Sequence, residues 1–199
     1  MSDTSNAGAV RSIGVREIPE TFTPVTPATQ GSRLHHAMLR ISDPERSLHF
    51  YTDFLGMSLI FKLDTGPFTV YYLGYPDPND QTPADLAKGM ASRTGFLELV
   101  YVHLQSSKQE VPPIIPATVG FGHLGWYVAD VEGTLKRAQE NGYIVVKDKS
   151  NLSITTMDLP KDVAATPCCA PFLTSFAQIG FIRDPDGNSV ELLPLEWKR

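Results

Sequence analysis

The chain states one pattern twice, and that repetition limits its possible folds more than any bulk property does. His36-Ala37-Met38-Leu39-Arg40-Ile41-Ser42-Asp43 returns as His123-Leu124-Gly125-Trp126-Tyr127-Val128-Ala129-Asp130. Each copy opens on a His and continues through residues that favour extended backbone. Each then reaches an Asp where a helix could be capped. Ser47-Leu48 and Thr134-Leu135 follow at matching positions. Two related modules are the expectation.

Periodicity fills in the elements. Residues 34–41 alternate as a strand, with His36, Met38 and Arg40 on one face and Ala37, Leu39 and Ile41 on the other, core-facing side. Asp43 and Pro44 begin a helix whose Leu48, Tyr51 and Leu55 recur at helical spacing until Gly56. Strands are expected at 57–63, 68–74 and 95–103, with a short helix at 83–90. On 95–103, Phe96, Glu98, Val100 and Val102 share a face. The second copy repeats this order: a strand at 121–129, a helix from Asp130 to about Glu140, and strands at 144–146, 177–183 and 189–194. Asp184-Pro185-Asp186-Gly187 is turn chemistry. The fold class is therefore α+β, built from two βαβββ modules. Residues 1–31, rich in Ser, Thr and Pro, read as a flexible arm. The modules span 32–106 and 120–199, joined by a Pro-rich linker at 107–119, and 149–175 is a long loop in the second.

Bulk properties exclude several classes. The 199 residues suffice for one core or for two small modules sharing one. A net charge of -5 gives no basic footprint for nucleic acid or an anionic membrane. Apolar runs fall well short of the roughly 20 residues that span a bilayer, and no signal-peptide layout opens the chain. The cytoplasm is the expected location. Cys168 and Cys169 are adjacent, where a mutual disulfide would be strained, so two free thiols in a loop are expected.

Four ionisable groups repeat with the pattern: His36 and His123 at the start of each first strand, Glu98 and Glu191 within each last strand. A carboxylate in an apolar strand is costly to bury unless it is paired or bound to metal. Two imidazoles and two carboxylates meeting across a pseudo-twofold axis would suit Zn, Ni, Fe, Mn or Co. Taken singly, each His could equally be a satisfied core residue and each Glu an exposed one.

His36-Ala37-Met38-Leu39-Arg40, Ser47-Leu48-His49-Phe50-Tyr51, Phe54-Leu55-Gly56-Met57, Leu97-Glu98-Leu99, Gly120-Phe121-Gly122-His123-Leu124-Gly125 and Asp184-Pro185-Asp186-Gly187 with Glu191 fall in the order found in glyoxalase I. The chain resembles that family, the lactoylglutathione lyases of the vicinal oxygen chelate superfamily, over residues 33–194. The resemblance implies curved mixed sheets around one divalent ion, Zn or Ni before Fe, Co or Mn, with His36, Glu98, His123 and Glu191 as ligands. It implies a homodimer whose sites draw on both chains. It also implies isomerisation of the glutathione–methylglyoxal hemithioacetal to S-lactoylglutathione through a metal-stabilised enediolate. Glu191 matches the base, Glu98 is the opposite carboxylate, and Arg40 matches a carboxylate-binding Arg.

The glutathione pocket departs from the family pattern. Val100-Tyr101-Val102-His103 replaces a polar run that carries an Asn, and Val119 stands where relatives have an Arg. Each lost charge-assisted contact costs about 1.5–3 kcal/mol. The 149–175 segment could supply Lys149 or Lys161. It could equally close over a more apolar substrate, with Phe96, Val100, Val102, Tyr127, Met157 and Phe172 as its wall. The alternatives are a metalloenzyme of the same superfamily acting on such a molecule (an isomerase, cyclase or dioxygenase) and a non-catalytic binder.

Overall fold

The computed structural model describes residues 13–103, 120–159 and 167–198. Two four-stranded mixed sheets carry the fold, and they repeat one topology. Strands β1 (His36–Ile41), β2 (Ser58–Asp64), β3 (Phe68–Gly74) and β4 (Phe96–Val102) lie in the order β1-β4-β3-β2. Strands β5 (Leu124–Val128), β6 (Val145–Lys147), β7 (Gly180–Arg183) and β8 (Ser189–Pro194) lie in the order β5-β8-β7-β6. In each sheet the first strand runs parallel to the last, and the remaining pairs are antiparallel. The class is α+β, with curved, open sheets.

Helix α1 (Pro44–Leu48) starts as its sequence directs: Asp43 accepts from the N–H groups of Glu45 and Arg46, and Pro44 occupies the first turn, where no N–H is needed. The expected single α-helix does not continue to Leu55. From His49 to Phe54 the chain widens into π-type turns, with the Leu55 N–H bonded to the Phe50 carbonyl at 3.0 Å. The wider turn buries Phe50, Tyr51 and Phe54, leaving Leu48 and Leu55 half-buried. Helix α3 (Val131–Glu140) buries Val131, Thr134, Leu135 and Ala138, a helical stripe, and stops at Asn141-Gly142. The side chain of Asp130 caps no N–H there, unlike Asp43.

One buried cluster joins the halves. Leu39, Ile41, Leu97 and Leu99 from the first sheet share it with Phe50, Tyr51 and Phe54, with Val131, Leu135 and Ala138, and with Ile182, Val190 and Leu192 from the second sheet. The expected division of the first strand holds: Leu39 and Ile41 are buried in this cluster, while Met38 and Arg40 are exposed. Polar contacts add register between the halves. The Tyr51 hydroxyl donates to Asp184 at 2.7 Å, and Asp186 accepts from the Ser42 N–H at 2.8 Å and the Ser47 hydroxyl at 3.0 Å. The Asp-Pro-Asp-Gly turn is therefore a docking element as well as a turn.

Each sheet has a cap on its opposite face. Helix α2 (Pro83–Gly89) packs Leu86 onto Ile60, Val70, Tyr72, Phe96 and Val100. The segment expected to be loop at 149–175 contains a 3-10 turn at Ile154–Met157 and helix α4 (Ala170–Phe176). Its Ile154 and Phe176 pack with Ile179 and Phe181. Pro171 in the first turn of α4 is compatible with a helix, so the proline that suggested a loop marks the helix start. The helix also shortens the next strand, which begins at Gly180 rather than 177.

Residues 13–31 form no helix or strand and lie exposed. Residues 1–12 of the arm and the expected 107–119 linker lie outside the described residues. No helix among the described residues is long and apolar enough to cross a membrane.

Candidate functional site

Strand register brings each His to its Glu. His36 opens β1, where Met38 sits opposite Glu98 on parallel β4. His36 Nε2 lies 3.1 Å from Glu98 Oε2. His123 immediately precedes β5 rather than lying within it, and Gly125 sits opposite Glu191 on β8. His123 Nε2 lies 3.2 Å from Glu191 Oε2. A side chain at Gly125 would stand beside that carboxylate, its Cβ 3.7 Å from Oε2. The hydrogen bond that His123 can donate to Glu191 raises its pKa against the opposing pull of burial, and the charges of Glu191 and then Asp158 add to the rise.

The four groups stand as two separate pairs within one chain. Among the described residues, no three His, Cys, Asp or Glu side chains gather where they could hold one ion. Each pair nevertheless offers an imidazole nitrogen and a carboxylate oxygen, partly exposed, on the capped side of its sheet. That donor set suits a borderline divalent cation, which takes four or more ligands. One pair offers half of a four-ligand shell, and two pairs would offer four donors.

Other candidates are more scattered. Arg40 is exposed and opposite Val100. Val100 and Phe96 are buried in the cluster beneath α2, and Val102 packs half-buried against it. Tyr127 is 61% exposed on β5. Met157 packs half-buried against Ile154 and Phe176, and Phe172 stacks on Phe176 with centroids 5.3 Å apart. Lys149 pairs with Glu132 of α3 at 3.5 Å, so it serves the helix side. Lys161 and Val119 lie outside the described residues. A groove of about 600 Å³ runs between the first strands of the two sheets, lined by His35, His36, Phe96, Trp126 and Tyr127 among others.

Four residues around the pairs escaped sequence reasoning. His35 hydrogen-bonds His36 and is bonded in turn to Tyr72 and Met90. Arg183 on β7 grips both carboxylate oxygens of Asp158, whose φ of 58° is left-handed. Lys147 on β6 is 1% exposed, donates to the carbonyls of Asp148 and Ile179, and sits 4.4 Å from the Phe176 ring centroid. The doubled His was visible in the sequence. The burial of Lys147 was not, because it depends on the cap. Cys168 and Cys169 are free thiols, as expected.

Comparison with known proteins identifies the family and supports the fold. The profile of the Glyoxalase/Bleomycin resistance protein/Dioxygenase superfamily matches residues 33–192. A lactoylglutathione lyase of Pseudomonas putida is 30% identical over 88% of this chain and 92% of its own. A probable lactoylglutathione lyase of Synechocystis sp. is 27% identical over 83% of this chain and 98% of its own. The structure of the trypanothione-dependent glyoxalase I of Leishmania major overlays with a TM-score of 0.50, covering 82% of this chain and 86% of that one at 22% identity, which supports the fold. A matched profile across both sheets and both His–Glu pairs leads to one conclusion: the chain belongs to the glyoxalase/bleomycin resistance/dioxygenase (vicinal oxygen chelate) superfamily.

Proposed function

We propose that this protein is a glyoxalase I-type lyase that converts the glutathione–methylglyoxal hemithioacetal to S-lactoylglutathione. The observation that carries the reading is the matched pair of contacts, His36 to Glu98 at 3.1 Å and His123 to Glu191 at 3.2 Å, one on each sheet. The relatives named lactoylglutathione lyase, matched over nearly their whole length, support it. His36 and Glu98 of one protomer would join His123 and Glu191 of its partner in a homodimer to hold one divalent ion, Zn or Ni. When bound, that ion supplies Lewis-acid stabilisation of negative charge on the substrate oxygens.

The chain's own residues then handle protons and position. Glu191 takes the proton from the carbon bearing sulfur and returns it to the neighbouring carbon, so the substrate is isomerised with no net change in atoms or electrons. Glu98, on the opposite side, transfers the oxygen-bound proton between the two oxygens. Arg40, exposed on the strand of His36, holds a glutathione carboxylate. Tyr127 and Met157 border the substrate from the second sheet and its cap.

A second reading has its own observation. The face beneath α2 is apolar where family relatives carry a polar residue: Val100 is buried and Val102 half-buried. That favours a metalloenzyme of the same superfamily with a less polar substrate. The test is hemithioacetal turnover, followed by thioester absorbance with Zn or Ni added to metal-stripped protein. Turnover that appears with metal supports the lyase. No turnover with either ion, from protein that binds the ion, rejects glutathione hemithioacetal as the substrate.

A further inference from the structure

Two imidazoles lie side by side at the first sheet's pair, and their hydrogen bonds leave few proton arrangements. His35 Nε2 is 3.2 Å from the Met90 carbonyl oxygen. A carbonyl only accepts, so His35 carries its proton on Nε2. His35 Nδ1 is then a lone pair, and it lies 3.0 Å from His36 Nδ1. Two lone pairs at that distance repel, so His36 must carry a proton on Nδ1 and donate it to His35. Nε2 of His36, 3.1 Å from Glu98, is thereby left open unless the ring is charged. That nitrogen and the carboxylate oxygen then face one another as two acceptors, an arrangement that a cation can bridge.

We propose that His35 is a positioning residue that selects the Nδ1–H form of His36 and so keeps Nε2 available to a cation. The form it excludes is the neutral Nε2–H ring, which would donate to Glu98 and tie the two prospective ligands to each other. The reversed arrangement, with a proton on His35 Nδ1 donated to His36, would leave His36 as the Nε2–H form, and nitrogen NMR distinguishes the two directly. Packing holds the His35 ring in place: it lies 4.8 Å from the Phe96 ring and 5.3 Å from that of His36, at 88° to the latter. The Tyr72 hydroxyl, 3.1 Å from His35 Nδ1, competes for the same lone pair, but its hydrogen can rotate away whereas the ring N–H cannot. In the second half a glycine, Gly122, stands in the place of His35 before His123.

The inference rests on His36 being a metal ligand, and the experiment separates the two ideas. Full-length, metal-free protein labelled with ¹⁵N-histidine is examined by long-range nitrogen–proton NMR at about pH 8.5, where free imidazoles are neutral. Zinc affinity is measured in parallel by chelator competition. His35→Gln can still donate to the Met90 carbonyl and accept from His36, whereas His35→Leu can do neither. Tyr72→Phe removes the rival donor. Wild type, His35→Gln and Tyr72→Phe should show the His36 proton on Nδ1, and wild type should also show a coupling between the two Nδ1 atoms across the hydrogen bond. His35→Leu, with its fold checked by amide spectra, should move that proton to Nε2 and weaken zinc binding about 10–100-fold, while His35→Gln stays near wild type. A proton on His35 Nδ1 in wild type, or a His36 ring unchanged in His35→Leu, overturns the proposal. So does a moved proton with unchanged zinc affinity, provided that His36→Ala itself loses zinc. Unchanged zinc affinity in His36→Ala overturns instead the assignment of His36 as a ligand.

Discussion

The two His–Glu pairs have nearly the same separation, yet little around them is alike. The first His is steadied by a neighbouring imidazole and sits beside an apolar cluster capped by α2. The second follows a glycine and is held edge-on by Phe181, with ring centroids 5.4 Å apart. Across its sheet, register sets Gly125, Glu191, Phe181 and Lys147 in one row. The cap above that row covers a buried ammonium, and the Arg183–Asp158 ion pair ties its Asp158 end to β7. Pair geometry therefore follows from strand register, which both halves share. Ring orientation and local charge follow from whatever each half packs around its pair.

If each site takes one pair from each protomer, the halves can be broken separately and then recombined. His36→Ala and His123→Ala chains should each be inactive as homodimers. Co-assembled, a mixed dimer has one site with both defects and one intact site, so activity should return to about a quarter of wild type by random pairing. No recovery in a confirmed mixed dimer would mean that each site is built within one chain. The carboxylates should also differ. Glu191→Gln should lower kcat by about 10³-fold with zinc still bound, in the range for a lost general base. Glu98→Gln should cost a smaller factor, and equal losses in kcat would end the distinction between base and opposite carboxylate.

The repeat made this shared framework legible in advance. Each His, each Glu and the alternation that separates Leu39 and Ile41 from Met38 and Arg40 could be read from spacing, because a strand's period is local. What differs between the halves was hidden for physical reasons. The π-type turns at His49–Phe54 need tertiary packing of Phe50, Tyr51 and Phe54 to repay their poorer backbone geometry. Helix α4 is only Ala170–Phe176, with two Pro in the surrounding segment, so periodicity had little length to work with. The docking role of Asp184 and Asp186 depends on partners far away in sequence, Tyr51, Ser42 and Ser47.

Lys147 sharpens the comparison at the level of stability. Burial pushes its pKa down from 10.5 to about 8, although Asp148 opposes the shift. The unfolded chain keeps that proton up to about pH 10.5, so between the two values it binds more protons than the folded one. Stability should therefore rise with pH across this window, and the penalty for the buried ammonium is present in full below about pH 8. A shift of this size corresponds to about 3 kcal/mol. Lys147→Met should flatten the rise, as measured by urea midpoints from pH 7 to 10. In the first half, Ile60 lies under its cap in an apolar cluster and has no charge to titrate. A slope unchanged in Lys147→Met would place its origin elsewhere.

The smallest effect concerns the tie that fastens the second cap. Asp158 combines two opposed contributions: it accepts a forked contact from Arg183, and it pays for a left-handed backbone. Arg183 and Asp158 side chains are 11% and 24% exposed, so solvent screens the pair only in part, and losing it should cost about 1–2 kcal/mol. Alanine at 158 loses the pair and keeps the strained φ. Glycine loses the pair but adopts that φ freely, which should recover about 1 kcal/mol. Asp158→Gly should thus unfold at higher urea than Asp158→Ala, with protection of the α4 amides from hydrogen exchange lowered in both. If glycine is the worse substitution, the backbone at 158 is not strained and the ion pair alone fixes the residue. If α4 protection is unchanged in both, the apolar packing of Phe176 on Phe181 holds the cap, and the two caps are fastened alike after all.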